Sequence, residues 1–222
     1  MLARDELDRA NKFRFDFLRR SFIVARASLR CLLGRYLSTP PAHLQFAYGA
    51  KGKPCVDGPS SISFNLSHSG DVATFAFTER CELGIDIEQI RPIPDMEDVA
   101  RRMFCSAEVD EWLSLSESHR VPGFYTCWTR REAFIKATGE GLPGATGQLR
   151  VSLLPDTPPQ LIQVPPESGQ ATGWCLHNLD IATGYAAAAS MAGTVRSGRS
   201  PRKGRRLAIR AATLPLSASS IR

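Results

Sequence analysis

The sequence has no apolar run that approaches the roughly 20 residues needed to cross a membrane as a helix. Its opening stretch, MLARDELDRANKFRFDF, carries too many charges for a secretory signal peptide. Cysteine pairs at CxxC spacing are also missing, and the six cysteines are scattered without a histidine at a zinc-ligand spacing. These absences predict a cytoplasmic protein without membrane contact, whose cysteines are reduced thiols of the core.

Acidic residues are absent from residues 192–222, which hold eight of the 28 Lys and Arg residues. Residues 1–191 hold the other 20 basic residues against 22 acidic ones, so this body is slightly acidic although the whole chain carries +6. The C-terminal stretch is rich in Ser, Gly and Arg, a composition that predicts a disordered basic tail. We do not expect nucleic-acid binding, because charge runs are usually solvated and the body lacks a basic stripe interleaved with aromatics.

The body alternates between helix and strand patterns. Apolar residues at helical spacing predict a helix over 17–36, and SISFNLSHSG and VATFAFTERCELGIDIE predict successive strands. Two helices follow, one over about 96–104 and one from about 107, and then a strong helix across GFYTCWTRREAFIKATG that ends at Gly139. The remainder up to GYAAAASMAG predicts further strands.

Two acids lie in the strand LGIDIEQI, residues 83–90. Alternate side chains of a strand point to opposite faces, so Asp86 and Glu88 share one face. Like charges at this spacing repel, and more strongly as water is excluded, so the pair favours a cation between its oxygens. The alternative is a pair of exposed acids on the wet face of an antiparallel sheet.

A third acid lies on the strong helix. Trp128, Glu132 and Lys136 are spaced four apart, which places an aromatic ring, a carboxylate and an ammonium on one helix face. Taken alone, Glu132 and Lys136 could be an ordinary surface ion pair, which is common on helices.

Four motifs occur in a distinctive order. They are GKP at 52–54, FNLSHS at 64–69, GIDIE at 84–88 and WTRREAFIKATGEGL at 128–142. In order and spacing the chain resembles the surfactin-type 4′-phosphopantetheinyl transferases over most of residues 6–190. The resemblance implies an α+β fold, a pseudo-twofold pair of similar halves (1–95 and 96–191), each a helix packed on a small, mainly antiparallel sheet. It also implies a monomer, since a pseudodimer already contains its interface.

The function implied by the resemblance is transfer of the phosphopantetheine arm of coenzyme A to a serine of an apo acyl or peptidyl carrier protein, releasing adenosine 3′,5′-bisphosphate. Charge develops on diphosphate oxygens in such a reaction, which suits a divalent ion held by carboxylates. The resemblance makes Asp86, Glu88 and Glu132 the Mg²⁺ ligands and places Lys136 on the phosphate under attack. Asp86, Glu132 and Lys136 would be the catalytic residues, and either Glu132 or a metal-bound water would accept the serine proton.

A coenzyme A site is implied as well. His68 and Lys53 would hold the 3′-phosphate, with Arg30 helping from the first long helix. Ser67 would add a small polar contact, and Pro54 belongs to the GKP turn of the site. Without the resemblance, His68 would be read as a core or turn histidine and Lys53 as an exposed lysine.

The chain departs from the family pattern at two points. Arg131 occupies the position before Glu132, where the family usually has a lysine. Its planar guanidinium donates in a fixed fork, whereas a lysine ammonium is a compact point charge, so the two are not equivalent. Cys105 replaces a usual serine before a helix, so we expect Ser106 to form the N-cap. Glu108 is either a weaker site candidate or a first-turn acid favoured by the helix dipole.

Two other classes stay open from the sequence. A different metal-dependent phosphohydrolase, acting on a nucleotide-like diphosphate, would use the same carboxylates. A non-enzymatic nucleic-acid binder would act through the basic tail.

Overall fold

The computed structural model of the chain describes residues 1–79, 81–139, 141, 147–154, 157–193 and 210–216. Its α-helices are α1 (Arg4–Asn11), α2 (Asp16–Leu37), α3 (Met96–Met103), α4 (Ser106–Leu113) and α5 (Glu117–Thr138). Its strands are β1 (Phe46–Tyr48), β2 (Pro54–Val56), β3 (Ile62–Ser69), β4 (Val72–Glu79), β5 (Leu83–Gln89), β6 (Arg150–Val151), β7 (Leu161–Gln163), β8 (Trp174–Asn178), β9 (Tyr185–Ala192) and β10 (Arg210–Pro215). Within these residues, no helix is both long enough and apolar enough for a membrane span.

The predicted helices and strands of the body are confirmed, with shifted ends. Helix α5 begins earlier than predicted, at Glu117, and continues through Pro122. It ends as predicted at Gly139, whose φ of 74° is a left-handed conformation that glycine adopts without strain. The short helix α1 was not predicted, because it is strongly polar and shows no clear apolar stripe.

The N-terminal half of the fold consists of α2 and a three-stranded antiparallel sheet in the order β10-β4-β3, and its edge strand β10 comes from near the C-terminal end of the described residues. Ala25, Leu29 and Leu33, four residues apart on α2, pack against aromatic side chains of the sheet such as Phe64 and Phe75. Burying a leucine or phenylalanine side chain of this kind contributes about 1.5–3 kcal/mol. The helical spacing seen in the sequence therefore marks the face that joins helix to sheet.

The second half repeats this arrangement with α5 and the antiparallel sheet β5-β9-β8. Phe124, Phe134 and Cys127 from α5 lie in a core shared with Trp112 of α4 and Leu176 of β8. Each half is thus a 22-residue helix packed on a small antiparallel sheet. The predicted α+β fold with two similar halves is confirmed.

The boundary between the halves differs from the predicted one, which lay after residue 95. Strand β5 hydrogen-bonds to β9 over its whole length, from Leu83–Met191 to Gln89–Tyr185. It therefore belongs to the second sheet, and the second half begins near residue 81 rather than 96. Local sequence could not assign β5, because its partner strand lies a hundred residues further along the chain.

The predicted disorder of residues 192–222 is wrong for the segment 210–216. Strand β10 pairs with β4 from Arg210–Phe77 to Pro215–Val72, and Leu216 is buried in the same core as Leu29 and Phe75. The free edge of β4 supplies the hydrogen-bond partners that the segment lacks by itself. The rest of the predicted tail, 194–209 and 217–222, lies outside the described residues.

The two halves meet where β3 runs beside β5. These strands belong to different sheets, and side chains of β3 bridge them. The side-chain oxygen of Asn65 accepts a hydrogen bond from the Ile85 amide at 2.8 Å. Further along both strands, Ser67 and Ser69 bond to side chains of β5. Polar residues at alternate positions of β3 thus line the seam between the halves.

Candidate active site

A cleft of about 330 Å³ opens at this seam, between β3, β5 and α5. It is lined by Leu66, Ser67, His68, Asp86, Glu88, Trp128, Glu132 and Lys136. The strand and helix periodicities predicted that Asp86 and Glu88 share one face, and that Trp128, Glu132 and Lys136 share another. Both predictions are confirmed, because all five side chains line the same cleft.

Gly84 explains how α5 comes so close to β5. A Cβ atom at this position would overlap the Ala133 carbonyl oxygen and the Ala137 amide nitrogen of α5. The alanine-rich strand β9, residues 185–192, also lies under the helix with small side chains. This close packing carries Glu132 and Lys136 on α5 to the acids of β5.

Asp86 is the most buried acid of the cleft, at 2% exposure. Its Oδ1 accepts hydrogen bonds from Lys136 Nζ at 2.6 Å and from Ser67 Oγ at 2.8 Å. Its Oδ2 is buried and has no hydrogen-bond partner among the described residues. Burial raises the pKa of the carboxyl above its ordinary value, although the charge of Lys136 acts in the opposite direction.

Glu88 and Glu132 are the other acids among the described residues of the cleft. Burial raises the pKa of Glu88; a hydrogen bond from Ser69 Oγ to its Oε2, at 2.6 Å, opposes this shift, and the charge of Asp86 adds to it. Burial also raises the pKa of Glu132, with a further contribution from the charge of Asp86. Three carboxylates thus crowd one cleft, and each holds its proton more tightly than an exposed acid does.

The predicted Mg²⁺ ligands share the cleft without converging on a point. In the described part of the chain, no three Asp, Glu, His or Cys side chains are close enough to hold a metal ion as they stand. The donors nevertheless fit a hard cation, because Mg²⁺ takes oxygen ligands and the buried Asp86 Oδ2 lacks a partner. Lys136 supplies the neutralising charge beside Asp86 in this arrangement.

The predicted coenzyme A residues are distributed over neighbouring cavities. His68 is exposed at the rim of the cleft, and partial desolvation and the charge of Lys136 lower its pKa. Lys53 lines a second cavity, of about 270 Å³, which also contacts Glu132 and Lys136. Pro54 begins β2 and lines a third cavity of about 450 Å³ together with Lys53. The three cavities therefore follow one another along the seam through shared residues.

Lys53 and Ser67 are already engaged in hydrogen bonds. Lys53 Nζ donates to the Ala137 carbonyl at 2.8 Å and lies 3.2 Å from a carboxylate oxygen of Glu82. It thereby connects the GKP turn to the end of α5. Ser67 Oγ donates to Asp86 and accepts from Lys136 at 2.9 Å, so its hydroxyl joins the two catalytic candidates rather than lying free.

The assignment of Arg30 to a phosphate is corrected by the structure. Its side chain is 1% exposed, and Nε donates to Glu6 Oε2 at 2.7 Å. Its Nη1 donates to the carbonyls of Pro41 and Leu44 at 2.8 and 2.9 Å. Arg26 bonds to the other oxygen of Glu6 at 2.6 Å. Arg26 and Arg30 therefore hold α1, and Arg30 also holds the loop after α2, so Arg30 is not part of the candidate site.

The departures from the family pattern also have a structural explanation. Glu108 is fully buried, and its carboxylate accepts from Arg131 Nη1 at 2.7 Å, from the Val151 amide at 2.8 Å and from the Cys105 amide at 2.9 Å. Cys105, not Ser106, occupies the N-cap position of α4, so that expectation was wrong. Neither Glu108 nor Arg131 lines the cleft. The pair fixes α4 to α5 away from the chemistry.

Ser69 is the functional candidate that sequence reasoning missed. It lies in the FNLSHS motif, two residues after Ser67, and its hydroxyl bonds to Glu88. The strand period would have revealed it, because residues 65, 67 and 69 share one face of β3.

The chain matches two family models. Residues 1–80 match the one described as 4′-phosphopantetheinyl transferase, N-terminal, and residues 82–190 match the 4′-phosphopantetheinyl transferase superfamily. The break between them agrees with the assignment of β5 to the second half.

Curated relatives agree with these matches. The 4′-phosphopantetheinyl transferase HetI of Nostoc sp. is 38% identical over 167 residues, which cover 74% of this chain and 70% of the relative. A putative 4′-phosphopantetheinyl transferase of Synechocystis sp., slr0495, is 35% identical over 178 residues, covering 79% and 71%. A holo-(acyl-carrier-protein) synthase of Bacillus anthracis, solved in complex with CoA (3′,5′-ADP), has a TM-score of 0.39 at 21% identity, covering 51% of this chain and 96% of that one. That structural likeness is too low to bear on the site, whereas the extent of the sequence matches is decisive: the chain belongs to the 4′-phosphopantetheinyl transferase superfamily.

Proposed function

We propose that this chain transfers the 4′-phosphopantetheine arm of coenzyme A to a serine hydroxyl of an apo acyl or peptidyl carrier protein. The observation that supports this most is the single cleft lined by Asp86, Glu88, Glu132 and Lys136, with His68 at its rim. In the reaction the serine oxygen bonds to the phosphorus that carries the arm. The bond from that phosphorus to the bridging oxygen breaks, and adenosine 3′,5′-bisphosphate leaves with the electron pair.

Asp86, Glu88 and Glu132 would hold a Mg²⁺ ion in this proposal. The ion would neutralise charge on the diphosphate oxygens, which an acidic cleft alone would repel. The unpartnered Asp86 Oδ2 and the crowding of three carboxylates support this choice of ligands. Asp86→Ala would remove one ligand and leave the others to repel each other, so transfer would be lost.

Lys136 would interact with the phosphoryl group under attack. Its ammonium lies 2.6 Å from Asp86 Oδ1 and 2.9 Å from Ser67 Oγ, so two contacts fix its direction. A fixed cation beside a reacting phosphate stabilises developing charge without having to reorganise. Glu132 would accept the serine proton, directly or through water, because its raised pKa makes it a stronger base than an exposed glutamate.

The 3′-phosphate of coenzyme A would bind along the line of cavities. Lys53 and His68 line different cavities, each of which also includes Lys136. Both side chains carry or can acquire positive charge, and both lie at the walls rather than in the core. We therefore assign the 3′-phosphate to these two residues, and Arg30 has no part in it.

The described walls of the cleft come from one chain, which supports a monomer. The eight lining residues among the described residues belong to β3, β5 and α5 of the same chain, and none of them is supplied by a second copy. A dimer peak in sedimentation at micromolar concentration would contradict the proposed monomer.

The six cysteines are all free thiols, which supports a location in the cytoplasm, where thiols stay reduced.

Intact mass spectrometry of an apo carrier protein tests the reaction. The carrier is incubated with this chain, coenzyme A and Mg²⁺, and a parallel sample contains a chelator. We expect the carrier to gain the mass of one phosphopantetheine arm, and the gain to disappear with chelator. Hydrolysis of coenzyme A while several carriers keep their mass would replace the transferase by the phosphohydrolase.

A further inference from the structure

Two serines of β3 make the same contact with two acids of β5. Ser67 Oγ donates to Asp86 Oδ1 at 2.8 Å, and Ser69 Oγ donates to Glu88 Oε2 at 2.6 Å. The serines are two residues apart, as are the acids, so the contact is repeated along the seam between the halves. Each carboxylate therefore has one oxygen held by a serine.

The hydroxyl of Ser69 is fixed by a second bond. Its oxygen accepts a hydrogen bond from the Gln89 amide at 3.1 Å while its proton is donated to Glu88. A hydroxyl that donates once and accepts once has little freedom to rotate. The direction of the bond to Glu88 is thus set by the backbone of β5 itself.

We infer that Ser69 is a positioning residue that turns Glu88 toward a bound divalent cation. Glu88 lines the cleft with its Oε2 held by Ser69, which matches Asp86, where Oδ1 is held and Oδ2 has no hydrogen-bond partner among the described residues. This role rests on the proposed function, because it concerns the carboxylates that would hold the metal. Groups that orient metal ligands typically contribute 10–100-fold to metal affinity or activity.

The position of Ser69 makes this role separable from catalysis. Ser69 does not line the cleft, whereas Ser67 lines it and also bonds to Lys136. A change at Ser69 therefore acts on Glu88 without removing a group from the cleft wall. Asn65, the third member of the row on β3, bonds to the Ile85 backbone and holds the seam rather than a carboxylate.

Direct metal binding tests the inference. Mn²⁺ is titrated into the full chain without coenzyme A, and electron paramagnetic resonance measures the free Mn²⁺ for wild type, Ser69→Ala and Ser69→Thr. We expect Ser69→Ala to raise the Kd for Mn²⁺ about tenfold. Ser69→Thr keeps the hydroxyl in a strand that accepts β-branched residues, and it restores the wild-type Kd. Ser63→Ala is the matched control, since Ser63 lies on the same face of β3 and makes no hydrogen bond to β5 among the described residues.

Three outcomes would overturn the inference. The first is an unchanged Kd in Ser69→Ala, and the second is an equal weakening in Ser63→Ala, which would indicate a general disturbance of β3. The third is a wild-type chain that takes up no Mn²⁺. The carrier mass test, run on the same preparations, reports the proposed function separately. If the wild-type chain transfers the arm and Ser69→Ala binds Mn²⁺ normally, the proposed function is retained and only the positioning role of Ser69 is refuted. Thermal unfolding of each variant confirms that a changed Kd belongs to a folded chain.

Discussion

Replacing Gly84 by alanine tests the close packing of α5 against β5. Gly84 has no positive φ, so alanine fits the backbone conformation and the effect is purely steric. The new methyl group would overlap the Ala133 carbonyl and the Ala137 amide, which are backbone atoms and cannot rotate away. Inserting a methyl group into a well-packed core costs about 1–3 kcal/mol. For a chain of this size, that corresponds to a loss of about 2–12 °C in Tm.

The same change should reduce transfer by more than the loss of stability explains. Helix α5 must move away from β5, and it carries Glu132 and Lys136 with it. A misplacement of about 1 Å at a reacting centre can cost about 100-fold in rate. Initial rates of carrier modification, measured well below the Tm of the variant, would report this loss.

Gly173→Ala is the control for this experiment. A Cβ atom at Gly173 would meet no atom of the described residues within 4 Å, so the Tm and rate of this variant should match wild type. If Gly84→Ala were as stable and as active as Gly173→Ala, the close contact between helix and strand would be refuted, and with it our account of how the site is assembled.

Three further changes have distinct expected results. Glu132→Gln should reduce transfer at least 100-fold at unchanged Tm, because it removes both a ligand and a base. His68→Ala should weaken the binding of coenzyme A more than the binding of dephospho-coenzyme A, since only coenzyme A carries the 3′-phosphate. Glu6→Gln should lower the free energy of unfolding at pH 7 by about 3–5 kcal/mol, because Arg26 and Arg30 lose a buried counter-charge. Burial would raise the pKa of Glu6, but hydrogen bonds from Arg30, Ala3 and Arg26 lower it, so its stabilisation is lost as pH falls below 4.5.

Each of these results has a clear opposite. A normal rate in Glu132→Gln would remove that residue from the site, and equal losses on both substrates would remove His68 from the 3′-phosphate. For Glu6, denaturant unfolding from pH 7 to pH 3 should show the gap between wild type and Glu6→Gln closing in acid. A gap that stays constant would mean that the ion pairs contribute nothing.

Local periodicity was sufficient to predict the faces of the site. The alternation of a strand placed Asp86 with Glu88, and the four-residue spacing of a helix placed Trp128, Glu132 and Lys136 together. That these two faces meet came only from the resemblance, because no local pattern indicates which helix crosses which strand. Gly84 was visible in the GIDIE motif, but its steric role depends on a helix some 50 residues away.

Partners distant in sequence account for what was missed. The resemblance placed Arg30 at the 3′-phosphate, and its actual counter-charge, Glu6, lies on a different helix. Burial of a charge depends on such a partner, which spacing within one helix cannot reveal. The prediction of disorder for 192–222 likewise used the composition of the whole stretch, and it missed the short run 210–216, which pairs with the edge of β4.

Because β10 pairs with β4, the first sheet can be completed only after the second half of the chain has been synthesised. During synthesis, β3 and β4 emerge long before β10, so the outer edge of β4 stays open until the second half has been made. Residues 1–80 therefore match one family model, but they lack the strand that completes their sheet. We expect that fragment, produced alone, to associate through its open edge, whereas the same fragment supplied with the 210–216 segment should remain dispersed.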